Sequence, residues 1–206
     1  PLFLTEANTI ADLHRDDDGL SVTIVTPQEI YNEFSSGKQD VTAIRSFVKM
    51  LFDRNGGSGN LIPKYLLLFG DASYDHKKRF ASNTNYIPAF QSANSTALTS
   101  SYVSDDFFGL LENSEGNLDA GGLVDIGIGR FPVRSTIEAQ AMVDKVRFYM
   151  TRQAPVVNTS VCATDACTKG GEWKNWLCFI GDDEDSDIHM SQSDQLATYI
   201  DTLYDN

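Results

Sequence analysis

The carboxylates best placed to do chemistry follow apolar runs. Residues 65–69 form an unbroken apolar run that stops at Gly70 and Asp71. This pattern is typical of a buried strand that delivers an acidic turn to its carboxyl end, and open α/β sheets bind ligands at that edge. Two later segments have a related pattern: residues 104–109 hold two adjacent aspartates, and residues 124–132 form a β-branched run that ends in Gly-Arg.

The turn after residue 70 holds three polar candidates, Asp71, Ser73 and Asp75. We expect both aspartates to serve turn chemistry, because Gly permits a tight bend and Asp accepts hydrogen bonds from nearby backbone amides. The segment also resembles the Gly-Asp-Ser block of serine esterases, with Ser73 as the nucleophile. That block has Ser directly after Asp, and the late His189 lacks the expected spacing. A serine esterase is therefore our third hypothesis.

In their order and spacing, the three segments resemble the first half of the gingipain-like cysteine peptidase domain, most closely the PorU-type sortases of the type IX secretion system. The resemblance covers nearly the whole chain. It implies an α/β fold: a parallel-sheet, three-layer caspase/gingipain-like subdomain, followed by the first strand and helix of a second α/β subdomain. It also implies a parent enzyme that attacks peptide bonds with a Cys thiolate and acts on C-terminal signal domains of secreted proteins.

A cysteine peptidase needs a thiolate, a His and usually a third group that stabilises the protonated His. In the gingipain-like family the His follows a Gly-His-Gly turn and the Cys comes later, so we expect both outside this sequence and the chain alone to be inactive. Adjacent aspartates after Ser104 are commonly a loop end or a cap. The resemblance implies instead that Asp105 is the supporting carboxylate, with Asp106 as the alternative.

A second acidic segment lies near the carboxyl end, where five of residues 182–187 carry carboxylates. Such oxygens suit calcium, and the resemblance to exported gingipain-like enzymes also implies bound calcium. The alternative is a solvated acidic turn beside a helix N-terminus, where negative charge is favourable. No cofactor is expected to be required, but calcium is a candidate ligand. The candidate metal ligands are Asp182, Asp183, Asp185 and Asp187.

Composition excludes several classes of partner. The 206 residues are 41% hydrophobic, enough for a buried core, and carry a net charge of -13. That charge would repel nucleic acid and anionic membranes. No stretch has the length of a transmembrane helix, and the first residues lack signal-peptide features. The expected partners are polypeptide substrates and the remainder of the peptidase domain. The resemblance implies an exported protein at the outer membrane or surface of a Bacteroidetes-type bacterium.

The three cysteines are too few for a disulfide framework and lack a four-ligand zinc pattern. We expect Cys162, Cys167 and Cys178 to be small buried hydrophobic residues. A bridge between Cys162 and Cys167 remains an alternative in an oxidising compartment.

Hydrophobic patterning predicts the elements that position these residues. Residues 20–26 alternate and predict a strand, Pro27 opens a short helix, and Asp40 caps a longer amphipathic helix. With the strand at 65–69, this order predicts a right-handed crossover in a parallel sheet. Residues 76–101, which begin with a basic turn, predict a long loop.

The second half predicts one more helix and a further unit. Ser135 and Glu138 form a capping-box pattern, and the helix is expected to run to about Arg152. Residues 176–181 predict a strand, followed by a helix.

We therefore divide the chain into a first subdomain (1–152), a connection (153–174) and a truncated second subdomain (175–206). A single strand and helix cannot bury both faces of a sheet, so this last unit needs further contacts. A non-catalytic surface or scaffold module is the main alternative to the peptidase.

Overall fold

A computed structural model describes residues 1–54, 62–93, 96–97, 100–116, 122–151 and 177–204. The chain divides into two compact units, Pro1–Met150 and Thr151–Asn206. The predicted connection at 153–174 lies outside the described residues, and so do Cys162 and Cys167. The predicted domain limits and the predicted bridge therefore stay predictions.

The first unit contains four helices, four short strands and one 3-10 helix within its described residues. The helices are α1 (Leu4–Asp17), α2 (Pro27–Phe34), α3 (Val41–Arg54) and α4 (Thr136–Thr151). The strands are β1 (Tyr65–Phe69), β2 (Phe90–Gln91), β3 (Val103–Ser104) and β4 (Gly127–Phe131), and the 3-10 helix is Asp106–Gly109. In the second unit the described helix is α5 (Glu184–Tyr204).

The strand at residues 65–69 is confirmed, and it pairs in parallel with β4, from Tyr65 opposite Gly127 to Phe69 opposite Phe131. This parallel pairing confirms the predicted α/β class. The predicted long loop at 76–101 is not wholly irregular, because it contains β2, which pairs in antiparallel with β3 just after the loop.

The predicted helix starts are correct. Thr26 and Glu29 form a complete capping box ahead of α2. The Asp40 carboxylate accepts the Thr42 amide at 2.8 Å before α3. At α4 the Ser135 hydroxyl accepts the Glu138 amide at 3.2 Å, while the Glu138 carboxylate accepts the Arg134 amide at 2.7 Å. In a standard capping box the Glu138 carboxylate would accept the amide of the N-cap residue Ser135, but here it accepts the amide of the preceding residue, Arg134.

Two predicted strands are wrong for the residues that the structure describes. Residues 20–26 and 177–181 carry no strand assignment. An alternating sequence becomes a strand only when a neighbouring backbone supplies ladder hydrogen bonds, and no described segment pairs with either one. Cys178, expected to be buried, lies in the second of these segments and is exposed.

The core packs α2 and α3 against β1 and the 3-10 helix. Phe108 and Leu111 are fully buried, and each such side chain contributes roughly 1.5–3 kcal/mol through burial. The main cluster comprises Ile30, Tyr31, Ala43, Ile44, Leu68, Phe107 and Phe108. Among the described residues, no helix combines the length and apolarity needed to cross a membrane.

Candidate active-site region

The carboxylate of Asp105 is held by Arg130. Arg130 lies on β4 and Asp105 directly precedes the 3-10 helix. The guanidinium donates from Nε to one carboxylate oxygen and from Nη2 to the other, each at 2.7 Å. Both side chains are largely buried, at 12% and 26% exposure. Two parallel charge-assisted hydrogen bonds fix the plane of the carboxylate as well as its position.

Arg130 also joins this carboxylate to the end of β1. Its Nη1 donates to the carbonyl oxygens of Gly70, at 2.9 Å, and Ile87, at 2.8 Å. Gly70 has a φ of +150°, and a Cβ there would lie 2.9 Å from the Cβ of Tyr86. Glycine is therefore required where the chain leaves β1. The Arg130 guanidinium thus links its own strand β4 to three other segments at the carboxyl edge of the sheet, those of Gly70, Ile87 and Asp105.

Asp71, the residue after Gly70, connects the end of β1 to two further segments at the same edge of the sheet. Its carboxylate accepts the Thr84 hydroxyl at 2.7 Å and Nε of Arg134 at 2.8 Å. Its carbonyl oxygen accepts the amides of Tyr86 and Ile87. Asp71 therefore anchors the return of the loop, as the prediction of turn chemistry implies, although its carboxylate partners are distant in sequence.

Asp75 organises the turn that follows. Its carboxylate accepts the Phe80 amide and Nδ2 of Asn83, both at 3.0 Å. Burial raises the pKa of Asp75, but the hydrogen bonds from Phe80, Asn83 and the Arg79 backbone, together with the charge of Arg79, outweigh it, so the pKa is lowered. Ser73 takes part as an acceptor, since its hydroxyl oxygen accepts the Asp75 amide at 3.1 Å.

The buried polar side chains of the described residues all lie in this loop: Asp71, Asp75 and Asn85. The segment between β1 and β2 is therefore held by a polar network near Asp71 and Asp75 and by apolar packing at Ile87, Pro88 and Ala89. Such a network keeps a surface loop in one shape, which suits a loop at the ligand edge of an α/β sheet.

Asp106, the alternative candidate, is exposed, and its amide donates to the Ser104 hydroxyl at 3.1 Å. Within the described part of the chain its carboxylate makes no hydrogen bond, in contrast to the paired carboxylate of Asp105. The role of either residue as a supporting carboxylate stays a prediction.

Comparison with known proteins assigns the family. The model of Peptidase family C25 matches residues 1–206. The chain belongs to this family. Among solved structures, the chain is similar to dimeric latent PorU from Porphyromonas gingivalis, with 37% sequence identity and a TM-score of 0.62. The match covers 72% of this chain and 15% of that one, so this C25 chain corresponds to a small part of PorU. No curated protein matches the chain.

Family membership confirms the gingipain-like resemblance that the three segments indicated. Sequence reasoning missed Arg130 as a partner of this region. The signal was present, because Gly-Arg at the end of a β-branched run places a cation at the sheet edge where the acidic segments also end. The serine-esterase alternative gains no support, since the Ser73 hydroxyl is used as a turn acceptor.

The acidic segment 182–187 precedes and enters α5. Asp185, Ser186 and Asp187 have φ values of 53°, 62° and 60°, so the chain is left-handed there. Nε2 of His189 lies 3.8 Å from the carboxylate of Asp185. Across the described ranges, no three His, Cys, Asp or Glu side chains come together in a way that could hold a metal ion. Calcium binding by Asp182, Asp183, Asp185 and Asp187 stays a prediction.

Proposed function

We propose that this C25 chain forms the first part of the peptidase domain of a cell-envelope cysteine endopeptidase of the PorU type. The observation that carries the proposal is the family match over all 206 residues. The similarity to PorU supports the narrower assignment. The rest of the peptidase domain would supply the nucleophilic Cys and the catalytic His.

In the proposed mechanism the Cys thiolate attacks the peptide carbonyl, and the His then donates its proton to the leaving amine. Asp105 supports the protonated form of that His. Arg130 donates two hydrogen bonds to the Asp105 carboxylate, and an ionised carboxylate can accept about four. Asp105 can therefore accept a further donor while Arg130 keeps its plane fixed.

The substrate and location follow from the similarity to PorU and the resemblance in the sequence. The enzyme would act as a sortase in type IX secretion, on C-terminal signal domains of secreted proteins. It would be exported to the outer membrane or cell surface. The net charge of -13 is compatible with a polypeptide substrate and opposes binding to nucleic acid.

The test uses the full-length parent protein and a secreted substrate that carries its signal domain. We expect cleavage that iodoacetamide blocks, and no cleavage by the 206-residue chain alone. Asp105→Asn should lower kcat about tenfold to ten-thousandfold, because an amide cannot stabilise a protonated His. The substitution also leaves the Arg130 guanidinium without its charged partner, so a melting curve of the variant checks the fold. Asp106→Asn is the matched control and should retain the wild-type rate.

Results that contradict these expectations identify which part of the proposal is wrong. Equal, near-wild-type rates in both variants would remove Asp105 from the mechanism, and a loss confined to Asp106→Asn would transfer the role by one residue. A full-length protein without activity would favour the scaffold alternative. Labelling of Ser73 by a fluorophosphonate would favour the esterase.

A further inference from the structure

The turn at residues 74–80, which we term the basic turn, presents three cations in an acidic protein. Lys77, Lys78 and Arg79 are all exposed, whereas the whole chain has a net charge of -13. The one carboxylate within the turn is that of the buried Asp75, which offsets one of the three positive charges and interacts with the charge of Arg79. The local charge of the turn is therefore opposite to that of the molecule.

Two aromatic rings flank these cations. Tyr74 is 76% exposed and Phe80 is 57% exposed, and their ring centroids lie 6.2 Å apart. Among the residues of this turn, Tyr, Phe and Arg are types that are enriched at interfaces with other chains. The rings add apolar contact area to a surface that would otherwise bind by charge alone.

Hydrogen bonds to its backbone carbonyl groups hold the basic turn in one conformation. The Asp75 carbonyl accepts the Lys78 amide at 3.2 Å and Nδ2 of Asn83 at 2.6 Å. Gln39, from the segment before α3, donates to the His76 carbonyl at 3.0 Å. A surface that is already ordered loses little conformational entropy when it binds.

We propose that the basic turn docks an acidic segment of a polypeptide, with the cations pairing its carboxylates and the rings packing on its side chains. The turn is separated from the end of β1 by residues 70–73 and lies on the segment that leaves the carboxyl edge of the sheet. The choice of a polypeptide rests on the proposed function. Electrostatic interactions between exposed charges are largely screened beyond about 8 Å at physiological salt. A short acidic segment bound at the turn is therefore attracted by the three cations, whereas a nucleic acid or an anionic membrane would extend over the surrounding acidic surface and be repelled by it.

The experiment measures fluorescence anisotropy of a short fluorescein-labelled peptide of alternating glutamate and tyrosine, titrated with the 206-residue chain. The turn variant is Lys77→Gln, Lys78→Gln and Arg79→Gln together. The control variant removes three exposed cations elsewhere: Arg54→Gln, Lys64→Gln and Lys145→Gln. Both variants have the same net charge, so a difference between them reports the position of the cations. Melting curves of both variants check the fold.

We expect the turn variant to bind about tenfold more weakly than the wild type, as expected for three exposed ion pairs, and the control to stay within about threefold. Tyr74→Ala with Phe80→Ala should also weaken binding. A peptide with lysine in place of glutamate should not bind.

Absence of binding by the wild type, or equal binding by the two variants, would overturn the proposal. Turn-dependent binding of phosphatidylglycerol vesicles or an oligothymidylate, without binding of the acidic peptide, would overturn the choice of a polypeptide. The peptidase assay of the full-length protein is separate, so an inactive parent with a binding turn would refute only the proposed function.

Discussion

Arg130 is the residue on which the sheet edge depends. It neutralises one carboxylate and satisfies two backbone carbonyls from a position that is 12% exposed. By contrast, the Arg134 side chain is 65% exposed and donates one hydrogen bond, to the buried Asp71, which keeps its hydrogen bond from Thr84 when Arg134 is removed. Buried pairs are costly to break because the remaining charge stays uncompensated, whereas exposed pairs contribute little.

We therefore expect Arg130→Ala to lower the free energy of unfolding by about 3 kcal/mol, and the control Arg134→Ala to lower it by about 1 kcal/mol or less. Urea denaturation followed by circular dichroism measures both. Similar losses in the two variants would show that burial does not set the strength of the Arg130 contacts.

The charge of Asp75 makes the polar loop sensitive to pH. Its pKa is lowered in the folded state, so the folded protein binds its proton less tightly than the unfolded chain does. The resulting stability is present above the unfolded pKa, about 3.9, and is lost as the pH falls through the folded value. Asp75→Asn should lower Tm at pH 7, and the difference from wild type should shrink below about pH 4.

Thermal melts at pH 7 and pH 3 measure this effect. Asp16→Asn is a suitable control, because Asp16 is exposed on α1. A difference in Tm that is the same at both pH values would mean that the Asp75 side chain acts through its shape rather than its charge.

At the scale of elements, the 3-10 helix packs on β4 through Gly109. A Cβ at Gly109 would lie 2.6 Å from Cδ1 of Ile128 and 2.7 Å from Cγ1 of Val124. Gly129, on β4 itself, would meet nothing within 4 Å. The two glycines therefore offer a matched comparison between a tight and an open site.

Gly109→Ala should destabilise the chain by about 1–3 kcal/mol, because the added methyl group forces the neighbouring side chains to move. For a protein of this size, that corresponds to a fall in Tm of roughly 2–4 °C per kcal/mol. Gly129→Ala should change stability by less than about 0.5 kcal/mol. Scanning calorimetry measures both, and a stable Gly109→Ala variant would show that Ile128 and Val124 can yield without cost.

The elements also show what the sequence could predict. The starts of α2, α3 and α4 are encoded locally, because their caps lie within a few residues of each other. Strands depend on partners that may be distant, so alternation at residues 20–26 predicted a strand that does not form. The same limit applies to the site: Asp105 and Arg130 lie on separate segments, and only the fold brings them together.

On the scale of the whole molecule, the two units differ in how well they cover apolar residues. Phe108 and Leu111 of the first unit are fully buried, whereas in the second unit Leu177 is 63% and Ile180 88% exposed. The residues around 177–180 that the structure describes in the second unit are therefore not covered by other described residues. The expectation that this last unit needs further contacts stays a prediction.

We expect the amides of residues 177–181 to exchange with solvent much faster than those of β1, because no described segment supplies them with ladder hydrogen bonds. Hydrogen exchange with mass spectrometry on the 206-residue chain gives the comparison. Slow exchange at residues 177–181 in a monomer would contradict it.

The parallel pairing of β1 with β4 has a consequence during synthesis. Tyr65 pairs with Gly127, so the first strand leaves the ribosome 62 residues before its partner. At roughly 5–20 residues per second, β1 waits about 3–12 s without a neighbour. Through that interval its apolar side chains and unpaired backbone groups are available to aggregation or to chaperones. Helices α2 and α3 are complete earlier and pack with Leu68 of β1 in the folded chain, so they are placed to cover this strand before β4 is made.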